Sequence, residues 1–137
     1  MCRQLKISRK SGEYVFIGVS APDIDVDTDG NTYKDSTSYC MWSSGEVRSA
    51  GQRISSAALP ASSIIQPDLF KQRGLCDKVF TAGDEVVVTL DCSAHTLRLQ
   101  SPTVDHTISI LQQHHNPQQQ WVLNVNFYDG DFEMTLT

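Results

Sequence analysis

Apolar and polar residues alternate along almost the whole chain, and no long stretch keeps a helical repeat. A period of two sends successive side chains to opposite faces of an extended strand, whereas a helix needs apolar residues three or four apart. The chain therefore reads as all-β. Leu5 and Ile7 alternate with Gln4 and Lys6. The stretch EYVFIGVS (13–20) is apolar on both faces, as a strand in the middle of a sandwich is, and Gly18 within it marks a close backbone approach or a bulge. SYCMWSSGEV (38–47) reads as a strand, a Ser-Ser-Gly turn and a return near Val47.

The second half repeats the pattern. DEVVVTLDC (84–92) is rich in β-branched residues, and HTLRLQ (95–100) and HTISIL (106–111) echo each other across SPTVD, a hairpin-like loop. Leu97 and Leu99 then share one face, as do Ile108 and Ile110. WVLNVNFY (121–128), DGD and FEMTLT read as a terminal hairpin, with Trp121, Leu123, Val125 and Phe127 on one side of its first strand. The expected core contains Tyr14, Phe16, Trp42, Val86, Val88, Leu90, Leu97, Trp121, Leu123 and Val125. Residues 49–79 break the pattern with Ser, Ala, Pro and Gly, apart from a helical turn expected near Asp68 to Gln72. So long an irregular insertion is either a solvated connection or a recognition loop.

A length of 137 residues fits one domain with a real core. The net charge of −5 gives no basic footprint for a nucleic-acid backbone. No apolar run approaches the roughly 20 residues of a membrane span, and MCRQLKISRK has no stretch that reads as a secretory signal. The expectation is a cytoplasmic protein with no membrane and no nucleic-acid partner. Cys2, Cys40, Cys76 and Cys92 lack zinc-ligand spacing, and Cys40 and Cys92 sit in apolar stretches, where a reduced thiol behaves as a small buried hydrophobe.

DIDVDTDGNTYKD (23–35) raises the question of calcium. With Asp25 as the first position of an EF-hand-like loop, Asp27, Asp29 and Gly30 fit, but the twelfth position is Ser36 instead of a bidentate carboxylate, and strands instead of helices flank it. A solvated acidic loop is the expectation, with no metal and no cofactor. No GxSxG elbow surrounds any serine. His95 and His106 begin the two echoing stretches and could be cross-strand neighbours, while His114 and His115 lie in a Gln-rich loop expected to face solvent. Asp91 reads as a carboxylate that binds backbone in a turn.

Taken together, these phrases resemble a SPRY domain, the β-sandwich module of many tripartite-motif ubiquitin ligases and adaptors. EYVFIGVSAPDID resembles the family's aromatic strand ending in Gly-Val, and SYCMWSSGEVRSAG its tryptophan strand and Gly turn. FTAGDEVVVTLDCSAHTLRL resembles the stretch where Gly-Asp precedes an apolar strand and Leu-Asp, and WVLNVNFYDGDFEMTL its closing hairpin. The likeness covers most of residues 13 to 136 in the family's order. It implies one antiparallel β-sandwich of the concanavalin-like jelly-roll type over 1–137. The family's Asn-Gly after Leu-Asp is absent. Further N-terminal strands are normal there, so the resemblance also implies an N-terminally truncated domain or a minimal variant.

The implied function is a non-catalytic protein–protein interaction module that docks a protein or peptide on loops at one end of the sandwich. It could serve as the substrate-recognition part of a ubiquitin ligase or adaptor. By that analogy the partner-touching loops are the acidic segment Asp23 to Asp35, the insertion from Arg48 to Lys78 and the Gln/His loop around His114, with Asp25, Asp27, Asp29 and Tyr33 in the first and Arg53, Phe70 and Arg73 in the second as the partner-binding residues, since Arg and aromatics supply most hot spots. The alternative is a calcium-assisted carbohydrate-binding sandwich, with the three aspartates on the ion and Tyr33 on the sugar. A third reading is a hydrolase using His95, His106 and Asp105.

Overall fold

The computed structural model describes residues 2–10, 14–22, 36–53, 59–127 and 132–136. Among the described residues, ten strands form in chain order: β1 (Cys2–Lys10), β2 (Val15–Ser20), β3 (Tyr39–Trp42), β4 (Val47–Ser49), β5 (Gln52–Arg53), β6 (Glu85–Asp91), β7 (Thr96–Gln100), β8 (Asp105–Ser109), β9 (Val122–Phe127) and β10 (Phe132–Leu136). They make two sheets of five, ordered β10-β1-β6-β7-β8 and β5-β4-β3-β2-β9, with every pairing antiparallel. The inward residues form one core between the sheets, including Leu5, Ile7, Ile17, Val19, Tyr39, Met41, Val86, Val88, Leu97 and Leu99. This is the sandwich the alternation requires.

β2 is buried at every residue because it lies between β3 and β9 and has apolar side chains on both faces. Its outward Phe16 packs on Trp42, centroids 5.2 Å apart, with Tyr14 edge-on to the same indole. Gly18 lies opposite Cys40, and a Cβ there would collide with the Tyr39 carbonyl oxygen and come within 2.5 Å of the Cys40 Cα. The glycine is a close approach, not a bulge. Gly45 closes the β3–β4 turn with φ of 103°, a conformation L-residues rarely adopt.

The terminal hairpin is corrected. β9 pairs with β2 (Ile17↔Val125) and β10 with β1 (Ile7↔Met134), so the two strands expected to pair belong to different sheets. Alternation fixes which face of a strand is buried but not which strand it pairs with. β1 and β2 each need partners on both edges, and β10 and β9 supply them. As the outermost strand in its sheet, β9 leaves Leu123 and Val125 half-buried; Trp121 and Tyr14 are half-buried too.

The insertion packs through its described part. After β5, a 3-10 turn (Ala61–Ser63) leads to α1 (Pro67–Gln72) and a second 3-10 turn (Leu75–Asp77). Pro67 opens α1 where its missing N–H costs nothing, and Asp68 and Lys71 sit at the ends that suit the helix dipole. The segment is tied to the β7–β8 turn through Ile65 N–H to Thr103 O (2.8 Å) and Thr103 Oγ1 to Lys78 O (2.8 Å). Val79 N–H reaches Ser43 O in the β3–β4 turn (2.8 Å), and Val79 and Phe80 are fully buried.

The four cysteines are free thiols. Cys40 is buried as expected, but Cys92 is exposed, because β6 ends at Asp91 and Cys92 begins the turn. The Asp91 carboxylate accepts the Ser93 and Ala94 N–H groups, both at 2.9 Å, which holds its pKa below the usual carboxylate range.

Candidate functional site

The strand directions sort the connections into two ends. At one end lie α1, the two 3-10 turns and the β3–β4 and β7–β8 turns. At the other lie the β6–β7 turn, the β8–β9 connection (111–121) and both stems of the acidic stretch, Pro22 and Ser36. Of the residues proposed from sequence, Phe70 and Arg73 stand at the insertion end; Pro22 and Ser36, the described residues on either side of the stretch holding Asp25, Asp27, Asp29 and Tyr33, lie at the opposite end. Those four residues lie outside the described residues, and for Arg53 only its backbone place in β5 opposite Arg48 is described. The calcium and sugar-stacking positions fall there too. Among the described residues, no three His, Cys, Asp or Glu side chains stand together as metal ligands.

At the insertion end, Arg73 is occupied. Its guanidinium donates to both Asp84 oxygens at 2.8 and 2.9 Å, with only 13% and 7% of the two side chains exposed, and Asp84 also accepts the Thr81 N–H at 3.0 Å. Arg73 thus clamps the segment after α1 to the start of β6 and presents little to a partner. Phe70 is different. Half-buried, it lines an open groove of about 310 Å³ with Ala61, Ile64, Pro67, Lys71 and Lys78. The Lys78 ammonium sits 5.1 Å from the Phe70 ring centroid, within cation–π range. Ile65 and Leu75, 52% and 65% exposed, extend the apolar surface of this end.

At the other end a cleft of about 230 Å³ opens between the β6–β7 turn and the β8–β9 connection. Leu90 and Ile110 line it where they join the core, with Trp121, His95 and His115 around them. His95 and His115 stack with centroids 3.7 Å apart and planes 10° apart. His95 has φ of 56°, a left-handed conformation uncommon for any residue but glycine, and its carbonyl accepts the Ile110 N–H at 2.9 Å. His115 donates from Nε2 to the Ile110 carbonyl at 2.6 Å. Burial raises the Tyr39 phenol pKa, and the hydroxyl hydrogen-bonds His114 Nδ1 and accepts the Leu111 N–H at 3.2 Å. Both histidines expected in solvent are instead half-buried and bonded.

No hydrolase triad assembles from the expected residues. His106 pairs with Leu99 across β7–β8, and His95 binds Ile110, so the two histidines are not cross-strand neighbours. Asp105 is bidentate to Arg98 at 2.9 and 2.6 Å, which lowers its pKa. His106 Nδ1 accepts from Ser63 Oγ at 2.8 Å. Burial lowers the His106 pKa and keeps it neutral, which suits a latch between the insertion and β8.

Composition could not reveal the cleft. Trp121 reads as core and HHNPQQQ as a polar loop, and only the register that sets the β8–β9 connection against the β6–β7 turn joins them. Among the described residues, no helix is long and apolar enough to cross a membrane.

No protein-family model matches the sequence, and no curated protein matches it. Among solved structures, the chain is similar to the SPRY domain of human HERC1, with a TM-score of 0.62 at 15% identity over 98% of this chain and 72% of that one. At that identity the likeness speaks for the fold, and it agrees with the two antiparallel sheets built above. The chain folds as a SPRY-like β-sandwich domain.

Proposed function

We propose that this domain is a non-catalytic protein-interaction module that takes a segment of a partner protein on its insertion end, centred on Phe70. One observation carries the reading: the open groove lined by Ala61, Ile64, Pro67 and Phe70, with Lys71 and Lys78 beside them and Ile65 and Leu75 exposed nearby. Apolar surface with a central aromatic suits a hot spot, and the two ammonium groups favour a segment that pairs apolar side chains with a carboxylate. Arg73 serves by fixing α1 through Asp84. Arg53 and the stretch bearing Asp25, Asp27, Asp29 and Tyr33 are proposed as partner contacts separately, on sequence grounds alone. Within a longer chain or complex carrying a ligase module, such a domain would supply substrate recognition, as ligase subunit or adaptor. The four free thiols fit the reducing cytoplasm.

The test is peptide display against the whole chain. Peptides selected on the unmodified domain are expected to be apolar and acidic, and to lose at least about tenfold in affinity, about 1.4 kcal/mol, on Phe70→Ala and on Lys71→Glu. Lys71 is exposed, so that variant should keep its unfolding temperature. Selected peptides that bind both variants as tightly as the unmodified domain would defeat the assignment.

A further inference from the structure

We infer that β10 is an association edge, on which a second copy of this chain lays its own β10 antiparallel and so joins two five-stranded sheets into one. β10 (Phe132–Leu136) is the last strand of its sheet, and among the described residues no strand lies beyond it. An outermost strand turns one row of main-chain N–H and C=O groups away from its sheet, a template for another chain unless something blunts it.

The other three outermost strands are blunted. β5 is two residues long. β8 is overlaid near its start by the insertion, through the Ile64–Val104 bridge and the Ser63–His106 hydrogen bond. β9 has its outward Asn124 only 8% exposed, closed over on the face where Glu133 and Thr135 of β10 stand open. β10 has five residues, no proline, no lysine and no charge on its core side. The irregularity in its pairing with β1 falls between Ile7 and Arg9, so β10 itself runs unbroken.

The register names the occupant. On the core side β10 carries Phe132 and Met134, both packed on the core, and Leu136, which is 54% exposed; on the solvent side it carries Glu133 and Thr135. Residues directly opposite in an antiparallel pair share a face. Centred on Met134, two copies set Phe132 of each against Leu136 of the other, Met134 against Met134, and Glu133 against Thr135. Apolar side chains then meet only apolar ones, Leu136 is covered, and each Glu133 carboxylate faces a hydroxyl that can donate to it. Of the symmetric registers only this one pairs all five residues, whereas the register centred on Glu133 sets two carboxylates together. β8 and the segment carrying Phe70 lie at the opposite edge of that sheet, so the pair leaves both grooves open and makes the module bivalent. The bivalence rests on the groove assignment above; the strand pairing does not.

The test is sedimentation equilibrium of the full chain at about 0.15 M salt, where the charge of −5 on each copy is screened beyond about 8 Å. A dimer should form as the chain rises from about micromolar to about millimolar concentration. Thr135→Glu, at an exposed position, sets carboxylates opposite each other and should weaken the dimer at least about tenfold. Adding Glu133→Lys in the same chain sets opposite charges there and should restore it. Thr107→Glu, exposed on β8, adds the same charge at the far edge and should leave association unchanged, as should Phe70→Ala. A chain that stays monomeric throughout would overturn the inference. So would a dimer that resists Thr135→Glu, one that the second substitution fails to restore, or one that Thr107→Glu or Phe70→Ala weakens as much.

Discussion

Arg73 and Asp84 meet through two parallel hydrogen bonds of 2.8 and 2.9 Å, almost out of solvent, and so fasten the insertion to the first residue before β6. Removing one partner of such a pair strands a buried charge, at a cost of about 3–5 kcal/mol. Arg73→Leu should therefore lower stability by about 3 kcal/mol in urea unfolding, and Asp84→Asn by less, because an amide still accepts one bond. If Arg73 instead acted mainly as a partner contact, Arg73→Leu would abolish binding with no change in the unfolding midpoint.

Gly18 gives the second expectation. A methyl group there would meet the backbone of the neighbouring strand, which cannot move aside as a flexible side chain could. Gly18→Ala should destabilise the domain by about 3 kcal/mol, the upper end for overpacking, although alanine favours extended backbone over glycine. A change below about 1 kcal/mol in the denaturant midpoint would show that β2 and β3 can separate without loss.

The same contrast between face and partner explains how much was legible in the sequence. Period two is local, so it put Leu97 with Leu99 and Ile108 with Ile110 on shared faces, both of which are buried, and read β2 as a central strand, while leaving Gly18 open between a close approach and a bulge. Pairing is non-local. Nothing within WVLNVNFY says that its first edge neighbour is β2, and nothing near Arg73 says that its fork is answered by Asp84. The His95–His115 stack joins residues whose own neighbourhoods read as strand start and polar loop. Phe70 was legible as an aromatic in an irregular insertion, but the groove around it depends on the Thr103 and Ser43 anchors of that segment.

His106 supplies a pH dependence with a definite sign. Burial lowers its pKa from the ordinary 6.5, with the nearby Asp105 charge opposing, so the folded chain takes up this proton less readily than the unfolded chain. Its contribution is fully present above about pH 6.5 and is lost as pH falls through the folded pKa. His106→Gln keeps an acceptor for Ser63 but does not titrate. The drop in urea midpoint from pH 7.5 to pH 5.5 should be smaller in the variant than in the unmodified domain. An equal drop in both would mean that His106 is as easily protonated folded as unfolded.

Thiol chemistry separates two cysteines that look alike in the sequence. Cys40 is buried opposite Gly18, and burial pushes its pKa up to about 12, with the Ser38 hydrogen bond and the Arg48 charge only partly offsetting this. The thiolate is the nucleophile, so at pH 8 only about one part in ten thousand of Cys40 is reactive even before access is counted. Cys92 is exposed in the β6–β7 turn, where no core residue shields it from reagent. Iodoacetamide at pH 8 should therefore alkylate Cys92 within minutes and leave Cys40 intact until the chain unfolds. The rate at Cys40 should follow the opening of the domain and rise in Gly18→Ala, which loosens the strand pair covering it. Alkylation of Cys40 at a rate near that of Cys92, in a chain whose unfolding midpoint is unchanged, would mean that β2 and β3 do not close over this thiol as described.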